Sequence, residues 1–254
     1  MTAGANSLLL LGYPEQAEKA AAEALIRVRQ TNLPTALLAA QSIVYVYLNL
    51  GIPEVTRAFA QEAIVAAERS GLTYVSALWR GRLGSAIAAE GNPREGVRMI
   101  RSSLKELSTL ERDAPEQRGY NLGQGPASSL LCAFIKALSL AGQFDEAIAE
   151  ADALLANQSN LARYLHGDVY FLKGEAIGGR DASASPDAEA CFRKAIEIAR
   201  GQSAKWRELR VTTYLARLLR GTGRLDEART LLAEICNWFT EGLDTAALKE
   251  RGRC

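Results

Sequence analysis

One histidine, His166, is all this chain of 254 residues carries, and no H-x-x-x-H spacing surrounds it. A histidine-based metal site therefore lacks its ligands. The four cysteines, Cys132, Cys191, Cys236 and Cys254, lie far apart without a C-x-x-C pair. That spacing fits neither a disulfide framework nor a zinc site and suits buried thiols in a reducing cytosol. No apolar run approaches the ~20 residues of a membrane-spanning helix; residues 7–11 and 43–50 are too short. The N-terminus has no basic residue ahead of Leu8, Leu9, Leu10 and Leu11 and no small-residue cleavage site behind them, so it makes a poor signal peptide. The chain is read as cytoplasmic, and the Asn157-Gln158-Ser159 sequon as idle. An excess of one charge is lacking too: 30 Lys+Arg stand against 29 Asp+Glu, a net +1. Nothing electrostatic points to nucleic acid or an anionic membrane as partner. Alternating β-branched runs are almost absent, so no strand is expected.

What is present is a period. Leu11-Gly12-Tyr13-Pro14-Glu15-Gln16-Ala17 is echoed by Leu50-Gly51-Ile52-Pro53-Glu54-Val55-Thr56 and by Glu90-Gly91-Asn92-Pro93-Arg94-Glu95-Gly96. Further copies are Ala141-Gly142-Gln143-Phe144-Asp145-Glu146-Ala147 and Thr222-Gly223-Arg224-Leu225-Asp226-Glu227-Ala228. The glycines step by 39, 40, 51 and 81 residues, and the last step hides a degenerate copy at Ser183-Ala184-Ser185-Pro186-Asp187-Ala188. Each copy reads as a helix ended by a left-handed Gly, then a turn whose Pro or acidic residue opens the next helix. Small residues follow at helical spacing, as in Ala17, Ala21, Ala24 and in Ala147, Ala151. They narrow one face for a neighbouring helix. Helix hairpins of fixed period stack into a solenoid.

The expected hairpins are 1–30, 34–70, 73–111, 126–157, 160–201 and 204–239, with a short terminal helix at 244–251. The long step places an irregular insertion in 112–126, and 178–186 reads as a Gly/Ser/Asp loop. Only half a first helix precedes Gly12, and apolar 8–11 is the opposite of the polar cap that ends a solenoid. That end is expected to be covered by something upstream, by a partner or by a second copy.

The Gly…Ala…Ala spacing resembles tetratricopeptide repeats of a long period. This resemblance implies an all-α, right-handed α-solenoid of about six tetratricopeptide-like hairpins. Long-period repeats of this kind also resemble those of bacterial signalling ATPases and of maltose-regulon-type transcription activators. A finer resemblance is carried by Leu172-Lys173-Gly174-Glu175, by Ala188-Glu189-Ala190-Cys191-Phe192-Arg193-Lys194-Ala195, by Glu208-Leu209-Arg210 and by Trp238-Phe239-Thr240-Glu241-Gly242. Together they are similar to the C-terminal repeat region of bacterial adenylate/guanylate cyclase–AAA ATPase signalling proteins. Neither a cyclase nor an ATPase domain is in the sequence, so no catalytic residue is carried over.

Enzyme chemistry finds little footing in the residues. No G-x-x-x-x-G-K-[ST] loop exists, and Gly123-Gln124-Gly125-Pro126 is a G-x-G with no strand before it. No G-x-S-x-G exists, and a nucleophile pair would have to join His166 to distant Cys132 or Ser129. Glu15, Glu54, Glu146 and Glu227 recur at one repeat position and read as helix-start carboxylates. The chain is therefore expected not to be an enzyme and to need no cofactor or metal.

In a tetratricopeptide superhelix the first helices line the concave face, and counting from the hairpin glycines places Gln41, Tyr45, Asn49, Arg82, Ser85, Lys136, Glu175, Arg210, Thr213 and Arg217 there. Tyr47, Trp79, Tyr164, Tyr170, Phe171, Trp206 and Tyr214 fall on first helices as well, mostly as core between repeats. Arg210, Arg217, Arg220 and Arg224 form a basic stripe, read as a solvated face against an acidic-peptide contact. The function these features suggest is a protein–protein interaction scaffold or sensor module that takes a peptide or partner domain on its concave face. As the resemblance implies, it would be the regulatory repeat region of a signalling ATPase or cyclase. Two alternatives stand beside it: a small-ligand-sensing solenoid, and a structural homo-oligomer paired through the uncapped N-terminal hairpin.

Overall fold

The structure is a computed structural model that describes residues 2–31, 34–113, 125–156, 163–181 and 185–242. The described residues form twelve α-helices, one 3-10 turn at Arg163–Leu165 and no strand. The helices pair as hairpins. α1 (Thr2–Leu11) precedes α2 (Pro14–Gln30), α3 (Pro34–Leu50) precedes α4 (Pro53–Arg69), and α5 (Thr73–Ala89) precedes α6 (Pro93–Asp113). α7 (Gly125–Leu140) and α8 (Phe144–Ala156) follow, then α9 (His166–Arg180) and α10 (Ser185–Gly201), then α11 (Lys205–Gly221) and α12 (Leu225–Cys236). Each hairpin packs on the next, which makes an α-solenoid. None of the described helices is long and apolar enough to cross a membrane.

First and second helices play different parts because their apolar residues are distributed differently. In α6 only Gly96, Val97, Ile100, Ser103 and Leu107 are buried, a single stripe at three- and four-residue steps. In α5 twelve of seventeen residues are buried, so it is enclosed on nearly all sides. The second helices are thus an outer layer with one wet face, and the first helices an inner layer. Neighbouring outer helices are also tied by ion pairs such as Arg29–Glu62 (2.8 Å) and Arg101–Glu146 (2.8 Å). Exposed pairs of this type contribute little, about 0–1 kcal/mol each.

The recurrent glycines end the first helices as the spacing predicts. Gly12, Gly51, Gly91, Gly142 and Gly223 all have φ between +75° and +99°. At Gly51 the amide donates to the Leu48 carbonyl (3.3 Å), and the next amide, of Ile52, donates to the Tyr47 carbonyl (2.9 Å). The same pair of bonds recurs at the other four turns and satisfies carbonyls that a helix end leaves free.

Two expectations are corrected. Residues 178–180 are not loop: α9 runs on to Arg180, and Gly178 and Gly179 are helical. Gly179 faces the Phe144 ring so closely that a Cβ there would come within 2.6 Å of it, so the glycine serves packing instead of a turn. Gly125 and Pro126 likewise open α7, as a proline can in a first turn. Most of the expected insertion, the residues 182–184 of the hidden turn and the expected helix at 244–251 lie outside the described residues.

The N-terminal hairpin is also not left uncapped. α1 packs against α11 as well as α3, with Leu9 fully buried and Leu8 set against the core. What covers it is the far end of the same chain. Trp238 Nε1 donates to the Leu11 carbonyl (3.3 Å), and Lys205 Nζ sits 4.9 Å from the Trp238 ring centre. Glu241 Oε1 accepts from the backbone amides of Glu15 (3.1 Å) and Gln16 (3.2 Å), while Gln16 Nε2 donates to Glu241 Oε2 (2.9 Å). Glu15 returns the contact by accepting from the Gly242 amide at 2.8 Å. Tyr13, the N-cap of α2, offers no capping side chain, so the Glu241 carboxylate fills that role from across the sequence. Gly242, at φ +70° and pressed on Pro14, leaves no room for a side chain at this seam.

Candidate functional site

With its ends joined, the solenoid wraps its first helices around an interior. α3, α5, α7, α9 and α11 all contribute to one cavity of about 380 Å³. It extends from Arg82, Ser129 and Asp168 toward Ala89, Leu140 and Arg217 near the C-terminal ends of their helices. Its walls are largely apolar, with Leu48, Ala133, Ala137, Leu140, Phe171 and Leu172 among them. Phe171 meets Tyr214 edge-on at 4.9 Å between ring centres, Arg210 lies 4.7 Å from the Phe171 ring centre and Arg217 lies 5.0 Å from that of Tyr214.

Three polar groups of contacts sit in this interior. In the first, Asp168, buried near the start of α9, takes Arg207 on one oxygen (2.8 Å) and Arg210 on the other (2.6 Å). The Tyr45 hydroxyl donates weakly to the same carboxylate at 3.4 Å. Arg210 also donates to Asn49 Oδ1 (2.7 Å), and Asn49 Nδ2 donates to the Tyr45 carbonyl (2.8 Å), which joins α3, α9 and α11 across the interior. Burial, the largest single effect, would lower the Arg207 pKa, but the Asp168 charge together with Tyr45 and Cys132 outweighs it and leaves the guanidinium more firmly protonated than usual. In the second group, Lys136 of α7 pairs with Glu175 of α9.

The third group is centred on Arg82 and is different in kind. Its Nε donates to Gln41 Oε1 (2.6 Å) and an Nη to Ser129 Oγ. Both acceptors are neutral, and no carboxylate pairs with Arg82 among the described residues. The side chain is 3% exposed. Burial pulls its pKa down to about 10, well below the usual arginine value, against opposing effects from Tyr164, Cys132 and Tyr45.

Of the ten residues that sequence counting placed on the concave face, eight line this cavity: Tyr45, Asn49, Arg82, Ser85, Lys136, Arg210, Thr213 and Arg217. Gln41 stands behind Arg82, and Glu175 stands against Lys136. Counting missed Asp168, Arg207 and Ser129, which occupy the early turns of their helices, where a carboxylate reads as an ordinary helix-start residue. The basic stripe does not form one face. Arg210 and Arg217 turn to the interior, whereas Arg224 is outside and bridges Glu189 (2.7 Å) and Glu227 (2.6 Å).

The chemistry weighed from sequence finds no assembled centre here. His166 lines a separate depression with Leu10, Arg163 and Gln202, away from Cys132 and Ser129 in the cavity. Burial first, and then the Asp168 charge, pushes the Cys132 thiol up to about 12, which keeps it protonated and a poor nucleophile. Among the described residues no group of three or more His, Cys, Asp or Glu is placed to hold a metal.

No protein-family model and no curated protein matches the sequence. Among solved structures the chain is similar to a kinesin light chain-like protein of Podospora anserina with nearly identical TPR-like repeats. That match has 15% identity and a TM-score of 0.50, over 82% of this chain and 97% of that one. A single-substitution variant of the same protein matches at 15% identity with a TM-score of 0.51, over 81% of this chain and 95% of the other. At that identity the likeness speaks for the fold, and the fold is that of TPR-like helical repeats.

Proposed function

We propose that the chain is a non-catalytic sensor module that takes a small ligand into the interior of its superhelix and presents its loaded or empty state to a partner protein. One observation carries this reading: side chains from five first helices converge on a single cavity, because the two ends of the chain are latched together. Ligand pockets of about 300–1,000 Å³ with apolar walls and a few polar groups are ordinary for small molecules. TPR-like repeats and the absence of an assembled catalytic centre among the described residues support a protein partner for the output. The resemblance of 172–245 to the repeat region of cyclase and AAA-type ATPase proteins supports a place as the regulatory arm of such a signalling protein.

The test is to fill the cavity. Ala133→Trp puts an indole into its wall. Native mass spectrometry of the wild type and this variant, each incubated with a metabolite extract, should show a small-molecule adduct on the wild type alone. Equal adducts on both, with the variant melting as the wild type does, would place binding elsewhere and refute the reading.

A further inference from the structure

The interior carries a cation that no carboxylate among the described residues neutralises. Five basic side chains are gathered there: Arg82, Lys136, Arg210 and Arg217 on the cavity wall, and Arg207 behind Asp168. Lys136 has Glu175, and the Asp168 carboxylate serves Arg207 and Arg210 together. Arg82, the most buried of the four on the wall, has among the described residues only the amide oxygen of Gln41 and the hydroxyl of Ser129. A guanidinium withdrawn from water without an anion is costly to keep, and packing alone would be met more cheaply by an apolar side chain of similar length. Its burial already pulls the guanidinium toward the neutral form. What Arg82 has instead of a carboxylate is open volume.

We propose that the cavity binds a small organic monoanion, a carboxylate on an apolar body, with the carboxylate on Arg82 and the body against Phe171, Leu172, Ala137 and Leu140. The planar fork of a guanidinium suits the two oxygens of a carboxylate, and the resulting bonds are charge-assisted. Asp168 is taken by Arg207 and Arg210 and Glu175 by Lys136, so Arg82 meets the ligand with one charge, which a monoanion matches. The apolar wall gives the remainder of the ligand a surface to cover. This inference rests on the interior being the binding site, and its test separates the two.

The experiment follows the thermal unfolding midpoint of the full chain with phenylacetate and hexanoate, and with their neutral isosteres phenylacetamide and hexanamide. Inorganic phosphate and a tripeptide, Gly-Gly-Phe with free or amidated C-terminus, complete the probes. Arg82→Met removes the cation, and Arg82→Lys keeps the charge without the fork should the first variant fail to fold. Arg98→Met, which removes an exposed cation on the outer layer, controls for unspecific anion effects. The acids should raise the midpoint by roughly 5–10 °C at ~100-fold above their Kd. The amides should not, and Arg82→Met should weaken the acids roughly 10- to 100-fold. Equal shifts by acid and amide would overturn the anion and leave an interior site standing; a shift confined to phosphate or to the free-carboxylate tripeptide would overturn the small organic carboxylate as its occupant. Acids acting equally on wild type and Arg82→Met would place them elsewhere and overturn the proposal. Silence from every probe would overturn it together with the interior site.

Discussion

Replacing Glu241 with alanine removes the carboxylate that caps α2 from the far end of the chain. Three hydrogen bonds go with it, from the Glu15 amide (3.1 Å), the Gln16 amide (3.2 Å) and Gln16 Nε2 (2.9 Å). Loss of an N-cap acceptor costs about 0.5–2 kcal/mol, and a carboxylate at a helix N-terminus adds about 0.3–1 kcal/mol through the helix dipole. The contacts are solvated, so the expected loss is about 1–2 kcal/mol, or roughly 3–6 °C in midpoint for a chain of this size. Urea and thermal unfolding measure the total, and hydrogen exchange locates it: the Glu15 and Gln16 amides should exchange faster, and so should α1, whose neighbour α11 is no longer held to it. Glu241→Gln keeps an acceptor and should retain more than half of the contribution. The gap between Gln and Glu should narrow in ~1 M salt, where screening reaches about 3 Å. An alanine variant that unfolds within about 0.3 kcal/mol of the wild type, with α1 protected as before, would mean that the seam is not held by this cap.

Asp168→Asn leaves Arg207 buried and Arg210 partly buried without their shared charge and should cost about 3–5 kcal/mol in urea unfolding; a loss below about 1 kcal/mol would show that the triad is not integral to the fold. The Cys132 thiol is held neutral up to about 12, so the folded chain keeps a proton that the unfolded chain gives up above pH 9. Stability therefore falls as pH rises through that window, and from pH 8 to pH 10 the wild type should lose about 1.4 kcal/mol more than Cys132→Ala; parallel losses would contradict the burial. Gly96→Ala would bring a Cβ within 2.5 Å of the Gly84 carbonyl and 2.6 Å of Ala88 Cβ, forcing α5 and α6 apart. It should destabilise by about 1–3 kcal/mol, and an unchanged unfolding midpoint would argue against so close a crossing.

The helical hairpins were legible because their signals are local. A glycine that must take positive φ, a proline or acid in the next turn and small residues four apart are all written within a dozen residues, at Gly12, Gly51 and Gly142 alike. The inner face was legible for the same reason: from the turn glycine, helical geometry alone places Asn49, Ser85 and Arg217. What could not be read was anything made between distant parts. Glu241 looks like a surface acid until Glu15 and Gln16 are beside it, more than two hundred residues away in sequence. Leu9 reads as an exposed end until α1 is packed against α3 and α11, and Asp168 as a helix-start acid until Arg207 and Arg210 flank it. Gly178 and Gly179 misled in the opposite direction, since glycine breaks helices by propensity but is tolerated where a neighbour such as Phe144 needs the space.

The unfolding free energy of ligand-free Arg82→Met tests most directly whether the superhelix is built around a receptor cation. Burial that brings the guanidinium down to about 10 corresponds to a penalty of about 3 kcal/mol on the charged form in the folded chain. Against it stand two hydrogen bonds from the charged guanidinium, about 1.5 kcal/mol each. The variant should therefore lie within about 1 kcal/mol of the wild type at pH 7, and should fall behind it as pH rises above 10 and the wild-type penalty is relieved. A loss of about 2 kcal/mol or more would make Arg82 a strut that the fold needs for itself, and the cavity around it a gap in packing.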